Sequence, residues 1–233
     1  MRIKRGMILA AGLGNRMKPY TIEIPKPLIK VGEKNILERG VDLLISFGVE
    51  EIVINVHYLA HKIKRFIQDK NYKIRFIISD EQKELLDTGG GVLNAIESFK
   101  NQPFIVLNPD TLWNQNYLSE LKLLEELYFK SKKPSLLVVE KKLSFDQSFK
   151  GDFNLDDKNF ITRQNSNQYI FTGLQILDQS AFSSIEKKIF SMNNVWDNLI
   201  NLKNLKGLKS KQVFYHLNTK DIYEKIKKIN SID

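Results

Sequence analysis

Five short apolar runs, separated by stretches of helical spacing, limit what this chain can become: residues 7–11, 51–56, 74–79, 104–108 and 135–140. Their cores (EIVINV, FIVLN, SLLVVE) are nearly continuous in apolar side chains and do not alternate with polar ones. A strand that is apolar on both faces belongs in a sheet covered on both sides, as parallel sheets are. Helical spacing fills the gaps. Residues 36–47 carry Ile36, Val41, Leu44 and Ile45 and stop at Gly48, and residues 60–68 carry Ile63, Phe66 and Ile67. Residues 89–99 and 117–130 read as two further helices. Repeated β-α order predicts an α/β fold with a mostly parallel sheet. From Gly151 the pieces shorten: strands at 153–155, 159–162 and 169–177, a helix at 195–202, a strand at 212–216 and a helix at 221–229. They predict antiparallel additions to the same unit, a single domain over 1–233.

Composition narrows the class. The chain has 233 residues, 42% hydrophobic and 27% charged, enough for one sizeable core. It has no cysteine, which excludes disulfides, thiolate metal sites and a cysteine nucleophile. No run of about 18 apolar residues occurs, and no basic-then-apolar leader, so a soluble cytoplasmic protein is expected. The net charge of +9 raises the question of nucleic acid. Yet the lysines are scattered through helical stretches (Lys62, Lys64, Lys130, Lys132, Lys225, Lys227, Lys228) without interleaved aromatics. They read as a solvated surface, and neither nucleic acid nor membrane is expected as a partner.

Polar and glycine-rich segments follow the strands: 12–16, His57-Tyr58, 80–91 and Pro109-Asp110. Open α/β sheets bind ligands at the carboxyl ends of their strands, so these segments predict one site. Within it, Gly12-Leu13-Gly14-Asn15-Arg16 lets backbone N–H groups approach an anion. Arg16 can fork onto phosphate oxygens, and Lys26, between Pro25 and Pro27, adds a second cation. That combination is a polyphosphate site. It is neither a dinucleotide fingerprint, since Met17 stands where the third glycine is needed, nor a P-loop, since Gly-Lys-Ser/Thr is absent. Asp110 ends a strand where a magnesium ion could sit, and an Asx turn would use it as well. Gly89-Gly90-Gly91 suggests either close backbone approach to something flat or a flexible loop before a helix.

The motif L-A-A-G-x-G-x-R-M, followed by P-K-P, resembles the signature of sugar-1-phosphate nucleotidyltransferases. Gly151-Asp152-Phe153 with Phe171-Thr172-Gly173 resembles motifs of N-acetylmuramate-1-phosphate uridylyltransferases, and the chain also resembles mannose-1-phosphate guanylyltransferase-like proteins. The resemblance implies a Rossmann-like, GT-A-type mixed sheet, with a nucleotide-binding half over about 1–140 and a sugar-phosphate-binding half over about 141–233. It implies nucleotide contacts from Leu9, Ala10, Ala11, Gly12, Gly14 and Asn15. Gly89 and Gly90 would line the base, with Glu84 and Thr88 beside them. Gly151, Asp152, Thr172 and Gly173 would face sugar hydroxyls. Arg16 and Lys26 would be catalytic, and Asp110 would bind Mg2+. Pro109 replaces a glycine that relatives commonly carry before this aspartate.

One departure lies at Phe214-Tyr215-His216-Leu217-Asn218-Thr219, where relatives read W-x-D-x-G-T with the Asp as a second metal ligand. His216 takes the Asp position and Asn218 the Gly position. Three roles are open to His216: metal ligand, cation against a phosphate, or packing residue; the phosphate contact is the expected one. The implied substrates are a nucleoside triphosphate, UTP or GTP favoured, and a sugar 1-phosphate, used for cell-wall or surface-glycan precursors by a monomer or small homo-oligomer. Two alternatives stand beside this reading. One is a choline-phosphate-type cytidylyltransferase, which needs an aromatic and acidic pocket. The other is a regulatory homologue that binds nucleotide sugar without turnover, a reading that only the His216 departure favours.

Overall fold

The five apolar runs form five strands of a seven-stranded sheet in a computed structural model that describes residues 2–229. The strands are β1 (Arg5–Leu9), β2 (Glu51–Val56), β3 (Arg75–Asp80), β4 (Phe104–Leu107), β5 (Ser135–Glu140), β6 (Tyr169–Leu177) and β7 (Lys206–Ser210). Their order is β7-β5-β6-β4-β1-β2-β3. β1, β2, β3 and β4 run parallel, and β7 is parallel to β5. β6 inserts between β4 and β5 and is antiparallel to both, so the later part of the chain completes the sheet of the earlier part.

Period-two alternation splits each strand between two cores. Ile8, Ile52, Ile54 and Ile105 face one layer, packed with α1 (Ile36–Phe47), α2 (Ala60–Lys70) and α4 (Tyr117–Ser131). Met7, Val53, Val106 and Val138 face the other, packed with α3 (Asp87–Asn94) and α5 (Met192–Asn201). A third, smaller cluster joins Met17, Ile29, Val31 and Leu112 to Ile222, Tyr223 and Ile226 of α6 (Lys220–Ile226). It anchors the loop around Arg16 from below. Helix ends follow local chemistry. Asn35 caps α1 by accepting the Glu38 N–H at 2.8 Å, and Gly48 closes it at φ 99°.

Two differences from the sequence reading matter. The helix expected at 89–99 is α3 followed by a separate 3-10 turn at Ile96–Phe99. The strand expected at 212–216 is not one: Phe214 and His216 make only isolated bridges, to Ser144 and Thr111. The strand at this edge of the sheet is instead β7, whose KGLKS sequence is disguised by lysines, a common way to protect an exposed edge. Its Gly207 is required by packing, because a Cβ there would sit 2.5 Å from Leu155 and 2.7 Å from Ile161 of the small 154–155/161–162 ribbon.

Candidate active site

At the carboxyl ends of β1, β2, β3 and β4 lies a cleft of about 430 Å³. Leu9, Ala10, Ala11, Gly12, Gly14 and Asn15 line one side, with Arg16 and Lys26 beside them. Thr88 and Asp110 also line it. The turn is held by its own bonds: Met17 N–H and Thr21 Oγ1 both donate to Gly14 O, at 2.9 and 2.8 Å. Gly14 is left-handed at φ 65°, and a Cβ on it would meet Thr21 at 2.9 Å and the Lys26 stem at 3.1 Å. Gly12 has nothing within 4 Å of a Cβ position and leaves open space.

Lys26 and Asp110 form the charged centre, with Nζ 2.8 Å from Oδ2 and side chains only 14% and 20% exposed. His216 Nε2 stands 3.6 Å from the same oxygen. Burial pushes the Asp110 carboxyl up, but His216 and Lys26 outweigh it and hold the group well below the usual carboxylate range. Burial pushes the His216 imidazole below its ordinary value, and the Lys26 and Arg16 charges add to this against the pull of Asp110. Burial thus works against a charge on the imidazole, and Lys26 is the hydrogen-bonded counter-ion of Asp110. The His216 ring stacks on Phe214 at 5.6 Å and meets Phe149 edge-on, and it is not among the residues lining the cleft.

The family model for nucleotidyl transferases matches residues 5–144, the part that builds this cleft. The chain belongs to that family. An N-acetylmuramate alpha-1-phosphate uridylyltransferase of Caulobacter vibrioides is 39% identical over 47% of this chain and 47% of its own length. A D-glycero-alpha-D-manno-heptose 1-phosphate guanylyltransferase of Campylobacter jejuni is 32% identical over 67% of this chain and 66% of its own. Each match thus spans less than two thirds of the relative's own length. The crystal structure of HddC from Yersinia pseudotuberculosis superposes with a TM-score of 0.74 at 26% identity, covering 97% of this chain and 98% of that one. The fold is the mixed, mostly parallel GT-A-like sheet that the sequence resemblance implies.

Other motif positions face the chain itself. The Gly89 and Gly90 N–H groups donate to Phe190 O at 2.9 and 3.0 Å. A Cβ on Gly89 would lie 2.4 Å from the Phe190 ring, and one on Gly90 2.3 Å from Lys188 O. The close approach foreseen for these glycines is made by the 188–190 segment, and neither lines the cleft. Glu84 is exposed and pairs with Lys188 at 2.6 Å. Thr172 is fully buried and donates to Leu137 O at 2.8 Å. Gly173, at φ 92° in an irregularity of β6, carries the oxygen that accepts the Asn108 N–H at 2.8 Å. Thr111 Oγ1 donates to Thr172 O at 2.5 Å. This pair therefore braces the Asp110 loop instead of lining a cavity. Gly151, at φ 89°, sits against Asn167 O, and Asp152 accepts the Phe171 N–H at 2.8 Å.

Residues given no ligand role from the sequence also line the cleft: Asn55, Glu81, Asp87, Asn108 and Asn218. Asn55 Oδ1 accepts the Ala10 N–H at 2.7 Å, and its Nδ2 donates to Glu81 Oε1 at 2.7 Å. Glu81 Oε2 accepts the Leu86 N–H at 3.1 Å, tying the first loop to the third. A polar residue inside the apolar run EIVINV is a sequence signal that could have found Asn55. A second cavity of about 230 Å³ shares Asp87, Thr88 and Asn108 with the cleft. It ends on Phe171 and Trp196, whose Nε1 donates to Gln175 Oε1 at 3.0 Å.

Proposed function

We propose that this protein transfers a nucleotidyl group from UTP or GTP to a sugar 1-phosphate, giving a nucleotide sugar and pyrophosphate. The observation that carries the reading is the meeting of Arg16, Lys26 and Asp110 on one cleft beside the open face of Gly12. The uridylyl- and guanylyltransferase relatives support the two bases. A phosphate oxygen of the sugar phosphate attacks the α-phosphorus; the new O–P bond forms as the bond to the β-phosphate oxygen breaks. Arg16 neutralises the triphosphate and the leaving pyrophosphate, and Lys26 orients the attacking phosphate. Such chemistry depends on placement and charge neutralisation more than on covalent help from the protein.

A magnesium ion fits the donor set. Asp110 Oδ2 is taken by Lys26, while Oδ1 is buried with no hydrogen-bond partner, an oxygen of the kind a hard cation takes. Bound there, magnesium would draw charge off the phosphates, and Asp110 would link it to Lys26. His216 serves in this reading as a packing residue. No helix among the described residues is long and apolar enough to cross a membrane, and we place the reaction in the cytoplasm.

The second cavity is the natural seat of the sugar. Its lining holds the acidic Asp87 and, among the described residues, no lysine or arginine. Arg163, which donates to the lining residue Asn193, is also tied to Asp197. A neutral hexose or heptose suits it better than a sugar bearing a carboxylate. The same aromatic and acidic lining, Phe171 and Trp196 with Asp87, favours one second reading, a choline-phosphate-type cytidylyltransferase. Pyrophosphate release decides between them. UTP, GTP, CTP and dTTP are each paired with the 1-phosphates of mannose, glucose, glucosamine and N-acetylmuramate, and with phosphocholine. The expected result is turnover with UTP or GTP and a neutral sugar. CTP with phosphocholine would replace the reading, and no turnover with any pair would leave a binding protein.

A further inference from the structure

Two buried oxygens on the cleft wall lack any hydrogen-bond partner: Asp110 Oδ1 and Asn218 Oδ1. Buried polar atoms are rarely left so without a reason. Asn218 is 9% exposed, and its amide cannot turn freely. Its Nδ2 donates at 2.9 Å to Asp146 Oδ2, and a carboxylate only accepts, so the amide oxygen faces away from Asp146. Asp146 is itself fixed, with Oδ1 accepting from Ser148 N–H at 3.0 Å and Ser148 Oγ at 2.6 Å. Burial pushes the Asp146 carboxyl up, but the bonds from Ser148 and Asn218 outweigh it and keep the group ionised. The 216–218 segment is strapped to the metal loop, because Leu217 N–H donates to Asp110 O at 2.6 Å.

We infer that Asn218 Oδ1 is the second protein ligand of the divalent cation, with Asp146 as the residue that aims it. The ligand has moved two residues along the chain from the position His216 now holds. The chemistry agrees: magnesium and manganese take carboxylate and amide oxygens readily, whereas imidazole suits softer ions. His216 stacks on Phe214 and meets Phe149 edge-on, with its Nε2 toward the oxygen that Lys26 already occupies. An amide ligand brings no charge, so the site keeps one carboxylate and depends on the phosphates for the rest of its negative charge.

The inference rests on the cation-binding part of the proposed function, and metal binding can be read apart from turnover. Mn2+ binding is followed by electron paramagnetic resonance on the whole protein, first with the metal alone and then with a non-hydrolysable triphosphate. Asp146→Ala, which leaves the ligand in place but unaimed, should weaken Mn2+ by about 10- to 100-fold, and Asn218→Ala, which removes the ligand, by at least as much. His216→Ala should bind Mn2+ like the wild type, and the spectrum should show no coordinated imidazole nitrogen. Thermal midpoints confirm that each variant is folded, and the Asp146 variant carries the test if Asn218→Ala is not. Wild-type affinity in both the Asn218 and Asp146 variants, an imidazole nitrogen on the metal, or no Mn2+ binding by the wild type would each overturn the inference. Asn218-dependent Mn2+ binding without triphosphate binding would keep it and remove the proposed function instead.

Discussion

Two glycine clusters stand at the rim of the same cleft and do opposite work. In the turn at 12–14, Gly12 opens onto empty space, and Gly14 is the left-handed residue that lets Lys26 pack close. In the run at 89–91 every glycine is filled from behind by the protein: Phe190 against Gly89, Lys188 O against Gly90, and Asn55 with Glu81 against Gly91. A missing side chain therefore signals close approach in both places. Only packing tells whether the approaching partner is a ligand or the chain itself. The first cluster leaves room for phosphates; the second locks α3 to the segment before α5 so that Asp87 and Thr88 reach the cleft.

The largest effect should come from Gly90→Val. Its Cβ would fall 2.3 Å from a backbone oxygen, which cannot swing aside as a side-chain end can. Overpacking of this severity costs about 3 kcal/mol, or about 6–12 °C in melting temperature for a chain of this size. Both substrates should then weaken together. A variant of normal melting temperature that loses only triphosphate affinity would move the run back to the ligand side of the comparison.

Lys26→Met comes next, and it tests the cluster that does face the ligand. Turnover should fall roughly 100- to 1000-fold, as when one charged contact to a transition state is lost. The variant should also be more acid-labile. A carboxylate whose folded pKa is depressed adds stability above its unfolded value of about 3.9, and that stability is lost as pH falls through the folded value. Without Lys26 the folded pKa of Asp110 rises, so the loss begins at higher pH, which an acid-unfolding midpoint will register. Unchanged turnover would take Lys26 out of the mechanism.

Gly12→Ala and Gly14→Ala divide the first cluster. Gly12→Ala should melt like the wild type, because its Cβ meets nothing within 4 Å, yet weaken the triphosphate about tenfold by standing where the phosphates approach. Gly14→Ala should cost roughly 1–2 kcal/mol of stability for a left-handed alanine. If Gly12→Ala binds triphosphate normally, the open space beside it is not the phosphate site.

How far the sequence carries the reader follows the same division. Short, nearly continuous apolar runs rich in β-branched residues favour covered strands, so β2 and β5 lie at their expected residues, as do β6 and α1. The edge strand β7 was hidden because an edge needs only one apolar face and is guarded by lysines. In the site, residues adjacent along the chain were legible: 9–16, Lys26 and Asp110 all line the cleft. Residues whose role is set by partners far along the chain were not. Thr172 and Gly173 look like ligand contacts, yet they brace the loop that carries Asp110, through a Thr111–Thr172 bond that spans 61 residues and an Asn108–Gly173 bond. Asn55 and Glu81 hold the loops together through a buried pair 26 residues apart, which no local motif encodes.

His216→Phe should have the smallest effect, and it probes the seam between cleft and framework. Burial depresses the folded pKa of this histidine, so the unfolded chain takes up a proton first. Between the unfolded value of about 6.5 and the lower folded value, stability of the wild type therefore falls as pH falls. Phenylalanine keeps the ring packing against Phe149 and Phe214 and has nothing to titrate. The two proteins should melt alike above pH 7, and the variant should gain on the wild type as pH is lowered to 5. Adding triphosphate separates this from a phosphate-binding cation. If His216 met a phosphate when protonated, the stabilisation of the wild type by triphosphate would grow below pH 6.5 and the variant would lose that growth. A stabilisation by triphosphate with the same pH dependence in both proteins makes His216 a wall of the site; a difference that widens toward acid restores it as a ligand contact.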